Sequence, residues 1–375
     1  MSEQEWTDQF DALLRRSYAI HGTDEKVHVL EAAVRLADHH GDAERGYEAR
    51  DALISAAVHG GHTEKAVVAF AWCRAQAKKE PSRFGGWHLL WENKWILESL
   101  HEHLGVTRAQ IESTLDDYAA AVEEQGGSGR STAKLRLIVA AALGEVEESK
   151  RWYRVFRDTR RDAHSDCAAC DVCVVSSVHV EWGEHEEALR LGAEVLRGRL
   201  ACAHVPHDLL PFAALAYFHL DRLPEAKDAF LKGYRITANN RRYLPGMGRF
   251  LALLGLTGNH GPALTLFEKH LAWALETRAP FNAIPFHMGA RFVLERAVAA
   301  GDTQLALWLP KSFPLFREDG IYDARTLLDW TDAQATDLCA KFDARNGNGH
   351  YTAELAEARK WGDRVKPYPI NTGIG

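Results

Sequence analysis

Apolar residues recur at the three- and four-residue intervals of an α-helix along most of this chain. Val27-His28-Val29-Leu30-Glu31-Ala32-Ala33-Val34-Arg35-Leu36 and Ala213-Ala214-Leu215-Ala216-Tyr217-Phe218-His219-Leu220 are typical segments. No segment reads as a sustained alternation of period two, so strands are not expected. The pattern predicts helices of about 12 to 17 residues separated by tight turns centred on Gly or Asp.

The turns themselves repeat. Gly61-His62-Thr63-Glu64-Lys65-Ala66, Gly183-Glu184-His185-Glu186-Glu187-Ala188, Asp221-Arg222-Leu223-Pro224-Glu225-Ala226, Gly258-Asn259-His260-Gly261-Pro262-Ala263 and Gly301-Asp302-Thr303-Gln304-Leu305-Ala306 share one form. In Gly144-Glu145-Val146-Glu147-Glu148-Ser149 a Ser replaces the Ala, and weaker copies turn at Gly22 and Gly105. Successive anchors lie 37 to 44 residues apart, the period of stacked helix pairs. Gly tolerates the positive φ that ends the first helix. The acidic residues after it suit the start of the second, and the Ala leaves room for the two helices to approach.

This arrangement resembles the tetratricopeptide repeat (TPR) family, through that family's Gly-x-x-x-x-Ala turn at the middle of each unit. The resemblance covers about residues 8–316 and is best at 183–189, 221–227 and 258–264. The family's unit is about 34 residues; these units are longer and lack its closing Pro, which indicates a divergent long-repeat type. HEAT-like repeats of about 40 residues are the weaker alternative. The implied fold is all-α, a right-handed superhelical solenoid of about eight TPR-like helix pairs. The array would occupy residues 1–316. Residues 317–375 would form a C-terminal cap, with helices near 323–342 and 351–364 and an extended tail from Pro367.

In such arrays the first helix of each pair lines a concave groove with side chains one turn apart. Carried onto this chain, the resemblance implies a partner-binding surface of Glu48, Asp51, Glu92, Trp95, Ser99, Glu102, Lys134, Cys173, Ser177 and Asp208. That groove would be acidic and aromatic in its N-terminal half. It would suit a basic or amphipathic protein or peptide segment. Solvated surface carboxylates are the plainer account of the same residues.

Charge supports that partner class. Lys and Arg total 45 against 52 Asp and Glu, a formal charge of −7. This balance disfavours nucleic acid and anionic membranes, which attract cationic surfaces. The N-terminus is acidic without an apolar stretch, and no apolar run nears the roughly 18 residues of a membrane span. The expected location is the cytoplasm.

Four of the six cysteines fall within 36 residues, in Cys167-Ala168-Ala169-Cys170-Asp171-Val172-Cys173 and Cys202-Ala203-His204-Val205-Pro206-His207. Cys167, Cys170, Cys202, His204 and His207 sit near the starts of two adjacent inner helices and have the donor types of a tetrahedral zinc site. Burial as small hydrophobes and a reactive thiol pair remain open beside it. Trp87, Trp91 and Trp95 share one helix face, as packing or as a stacking wall. Arg151, Arg154, Arg157, Arg160 and Arg161 form a basic stripe that reads mainly as a solvated face. No phosphate-loop, metalloprotease, serine-hydrolase or dinucleotide motif is present. A non-catalytic peptide-binding module is therefore the leading expectation. The alternatives are a metal- or thiol-dependent protein centred on 167–207, and a sensor of a small signalling peptide without its own DNA-binding domain.

Overall fold

The computed structural model describes residues 2–20, 23–84 and 87–373. The chain is all-α. Its helices are α1 (Glu3–Ala19), α2 (Thr23–His40), α3 (Ala43–Gly60), α4 (Thr63–Lys79), α5 (Pro81–Phe84), α6 (Trp87–Ser99) and α7 (Arg108–Glu124). They continue as α8 (Arg130–Ala142), α9 (Val146–Asp158), α10 (Ala168–Glu181), α11 (His185–Leu191), α12 (Ala193–Leu196), α13 (Leu209–His219) and α14 (Leu223–Thr237). Then follow α15 (Leu244–Leu256), α16 (His260–Glu276), α17 (Ile284–Ala299), α18 (Ala324–Asn346) and α19 (His350–Ala358). Consecutive helices pack as hairpins, and each hairpin packs on the next. Among the described residues, no helix is long and apolar enough to cross a membrane.

One turn chemistry sets this arrangement. After α8, Gly144 lies at φ 76°, its N–H bonds Ala141 O at 3.0 Å, and Glu145 N–H reaches back to Ala140 O at 2.9 Å. That double closure satisfies carbonyls which the helix leaves without partners. The same pair of bonds recurs at Gly61, Gly183, Asp221, Gly258 and Gly301. Asp221 adopts φ 60°, a conformation that Asp tolerates better than most residues. The Ala that follows is buried at positions 66, 188, 226 and 263. Ser149 replaces it by donating its hydroxyl to Leu137 O at 3.2 Å. Gly105 departs from the pattern, because α6 leaves through a 3-10 turn at Leu100–Glu102 and Gly105 has no positive φ. The Gly22 anchor lies outside the described residues.

The Gly301 unit corrects the expectation of helices throughout. No second helix follows this turn. Instead β1 (Gln304–Ala306) pairs antiparallel with β2 (Ile321–Asp323). Leu305, Leu307 and Leu309 are buried while Trp308 is 78% exposed, so this stretch does alternate with period two. The next residue, Pro310, would break a helix there. Beyond the hairpin, α18 packs on α17. The tail from Val365 has no regular structure and is stitched to the α15–α16 turn. Lys366 N–H bonds Leu256 O at 2.8 Å, Tyr368 N–H bonds Thr257 O at 3.0 Å, and Asn259 Oδ1 accepts from Ile370 N–H at 2.9 Å.

The hydrophobic core is divided along the array. One cluster joins α1–α4, another α6–α8, and the largest runs from Leu210 to Ile370 through Phe218, Phe250, Phe267 and Phe292. Glycines let α15 and α17 pack closely. A Cβ on Gly248 would lie 2.2 Å from Pro285 C, and one on Gly289 would lie 2.4 Å from Gly248 O.

The array also closes on itself along two seams. At the first, Asn346 and Asn348 donate to Leu143 O at 3.3 and 2.7 Å, and the Tyr351 hydroxyl donates to Ala142 O at 2.6 Å. Arg345 donates to the carbonyls of His101, His103 and Val106, and Arg108 donates to Asn346 O at 2.9 Å. At the second seam Asn240 donates to His59 O at 3.0 Å and the Arg242 guanidinium to His59 Nδ1 at 2.8 Å. His103 meets Arg278 O, and His101 meets the Phe281 ring edge-on.

Gly144 and Gly183 separate turn strain from closure. Both need the left-handed conformation, which costs an Ala about 1 to 2 kcal/mol. A Cβ at Gly183 meets open space, whereas one at Gly144 would sit 2.4 Å from His350 Cβ. Chemical denaturation of Gly144→Ala and Gly183→Ala should therefore show a clearly larger loss for Gly144→Ala. Equal losses would mean that the first seam contributes nothing to stability.

Candidate binding chamber and thiol cluster

The inner faces of the helices line a concave chamber of about 1350 Å³ whose wall draws on residues from α2 to the final turn after α19. Trp95, Ser99, Glu102, Lys134, Cys173, Ser177 and Asp208 all line it. Glu98 also lines it, lying between Trp95 and Glu102 on the same face of α6 and its terminal turn.

Glu48, Asp51 and Glu92 of the expected groove do not line the chamber. Glu48 is exposed elsewhere. Glu92 lies one turn before Trp95 but is buried, and its carboxyl is hydrogen-bonded to Asp51 of α3. Burial, then the hydrogen bond and like charge of Asp51, push the Glu92 carboxyl up to about 9. Its Oε2 has no hydrogen-bond partner among the described residues. The face of α6 is as the sequence implies, but α3 covers its first turn.

A buried ion network fixes the middle of the wall. Lys94, fully buried in α6, places Nζ 2.6 Å from Asp166 Oδ1, 3.2 Å from His164 O and 3.4 Å from the centre of the Trp91 ring. Lys134 from α8 bonds the other Asp166 oxygen and Glu98 Oε1. Burial alone would raise the Asp166 carboxyl, but Lys134 and Lys94 outweigh it and hold the group below the usual range. The segment before Asp166 is pinned as well. Arg130 donates to the carbonyls of Phe156 and Thr159, each at 2.7 Å, and Asp162 accepts from Ser128 N–H at 2.6 Å. Of the basic stripe, Arg151 and Arg157 pair with Glu148 and Asp158, and Arg161 pairs with Asp171.

The second seam supplies chamber residues that the repeat pattern does not mark. His59 stacks on His204 with ring centres 3.8 Å apart and meets Trp95 edge-on at 5.2 Å. Burial, reinforced by Arg242, pulls the His59 imidazole down to about 3, so its Nδ1 is a neutral acceptor for Arg242. Arg242 also lies 3.4 Å from Asp208. Arg249 stacks over Phe212 at 3.7 Å and reaches Glu181 at 3.3 Å. Trp91 and Trp95 touch edge-to-face at 6.4 Å, while the Trp87 side chain lies outside the described residues.

The chamber wall carries ten carboxylates against seven Lys or Arg, so it is acidic in balance. Burial lifts the Glu102 carboxyl to about 7 against the opposing effects of Asn282 and Arg242. Burial also raises Glu181 despite Arg249. These groups gain from an added positive charge.

At the start of α10, the thiols of Cys167, Cys170 and Cys202 lie within 4.8 Å of one another, and Cys170 and Cys202 are 3.6 Å apart. Cys167 caps the helix and accepts from Cys170 N–H at 3.4 Å; Cys202 accepts from His204 N–H at 3.5 Å. Burial and its two thiol neighbours raise Cys170. For Cys167, burial is outweighed by the Cys170 N–H and by the Cys170 and Cys202 thiols, and its thiol is lowered. His204 and His207 do not join the cluster, which corrects the five-residue donor set. Their rings are held in stacks on His59 and Tyr243. Cys173 is buried three residues beyond Cys170 and lines the chamber.

Comparison with protein-family models gives no match, and comparison with curated proteins gives no significant match either.

Two substitutions probe the buried charges. Asp166→Asn leaves two buried ammonium groups short of a counter-charge and should cost about 3 to 5 kcal/mol in urea denaturation. A loss below about 1 kcal/mol would show that Lys94 and Lys134 find other partners. Glu92→Gln should stabilise the protein. The folded carboxyl sits above its unfolded value, so the native form loses stability as pH rises from about 4.5 towards 9. The gain from Gln should therefore be near zero at pH 4.5 and reach at least about 1 kcal/mol at pH 8, read from melting curves across that range.

Proposed function

We propose that this protein is a TPR-like peptide-binding module whose ligand is a short cationic or amphipathic peptide held in the chamber. The carrying observation is an acidic, tryptophan-bearing concave chamber bounded by two seams. The volume of about 1350 Å³ exceeds the roughly 300–1,000 Å³ typical of small-molecule pockets. A peptide of a few residues suits it better than a metabolite. Glu98, Glu102 and Glu181 would meet the ligand's Lys or Arg side chains, and Trp95 would pack on their aliphatic stems. Repeat arrays present binding surfaces of this kind without chemistry of their own. The acidic balance of the chain supports a role without nucleic acid or membrane, and the cytoplasm is the proposed location.

Calorimetric titration with short peptides bearing Lys or Arg, against neutral and acidic peptides of the same length, tests the proposal. Cationic peptides should bind preferentially at pH 8, and Glu102→Gln should weaken them by about tenfold, or about 1.4 kcal/mol. Because Glu102 takes up its proton near pH 7, affinity should fall between pH 8 and pH 6. Indifference to peptide charge in both parent and variant would refute the chamber as the binding site.

A further inference from the structure

We propose that Cys167, Cys170 and Cys202 form a three-thiolate site for one zinc ion, with its fourth coordination position open to an external ligand. The geometry carries the case. Sulfurs held about 2.3 Å from a tetrahedral zinc ion stand about 3.8 Å apart. Cys170 and Cys202 already lie 3.6 Å apart, and Cys167 closes the triangle within 4.8 Å. Packing cysteines would be expected to interleave with apolar side chains. Here Cys170 and Cys202 do rest on Val195, Val205 and Leu209, yet their sulfurs and that of Cys167 lie within 4.8 Å of one another.

The backbone is arranged for anionic sulfur. Cys170 N–H points at Cys167 Sγ and His204 N–H at Cys202 Sγ, so two of the three donors already accept hydrogen bonds that orient and stabilise thiolates. Cys167 is also the N-cap of α10, at the positive end of the helix. An all-sulfur donor set selects a soft or borderline ion and rejects magnesium or calcium. Among the described residues, no His, Asp or Glu joins the cluster as a fourth donor. Cys167 is exposed at the surface and Cys170 belongs to the chamber wall. An ion here would thus tie the start of α10 to the segment before α13. This proposal stands independently of the peptide ligand.

The full-length protein, reduced, incubated with zinc and desalted, should retain about one equivalent by elemental analysis. Cobalt in place of zinc should give the intense visible bands of a tetrahedral thiolate centre, and added imidazole should shift them. Cys167→Ser and Cys202→Ser should each lower retention at least about tenfold, while Cys339→Ser, remote and buried, should not. Should the cluster variants fail to fold, alkylation of the parent decides instead, and zinc should slow modification of Cys167. Retention below about a tenth of an equivalent would overturn the site, as would alkylation unaffected by zinc. Cobalt bands indifferent to imidazole would overturn the open position.

Discussion

The last carbonyls of α8 have no partner in their own helix, and side chains from the far end of the chain supply one. Asn346, Asn348 and Tyr351 all donate to the carbonyls of Ala142 and Leu143. An exposed helix end is ordinarily satisfied by water or a local cap. Here the partners come from more than 200 residues away in sequence. The chamber lies between the two ends that these contacts join.

Charge burial is tolerated for a related reason. Lys94 and Lys134 would each be costly inside the array. Asp166 answers both at once, and its position directly before Cys167 means that the ion network also sets where α10 begins. The chamber wall and the thiol cluster therefore share one support. Glu92, Glu102 and Glu181 have no such pair of close ammonium groups, and burial lifts all three above the normal range.

Much of the fold was legible because it is written locally. A left-handed turn followed by a buried Ala is a short pattern, and it placed the turns at 61, 144, 183, 221 and 258. Helical spacing from those turns also put Trp95, Ser99 and Glu102 on the inner face. Two kinds of feature escaped. The hairpin at 304–323 opens with the same turn residues, and only the burial of Leu305, Leu307 and Leu309 reveals its period of two. Contacts across the seams carry no periodic mark, so His59 and Arg242 were invisible from the repeat register. His204 is drawn into a stack with a residue 145 positions earlier, and His207 into one with Tyr243.

Closure has a consequence for how such a chain can change. An open stack of helix pairs can lose or gain a unit and keep every remaining interface. A stack whose ends meet cannot. Inserting one pair between α9 and α14 would carry Tyr351 away from Ala142 and displace Arg242 from His59. The number of units is then fixed by geometry, much as the number of staves is fixed by the girth of a barrel. Variation is left to the side chains that face the interior.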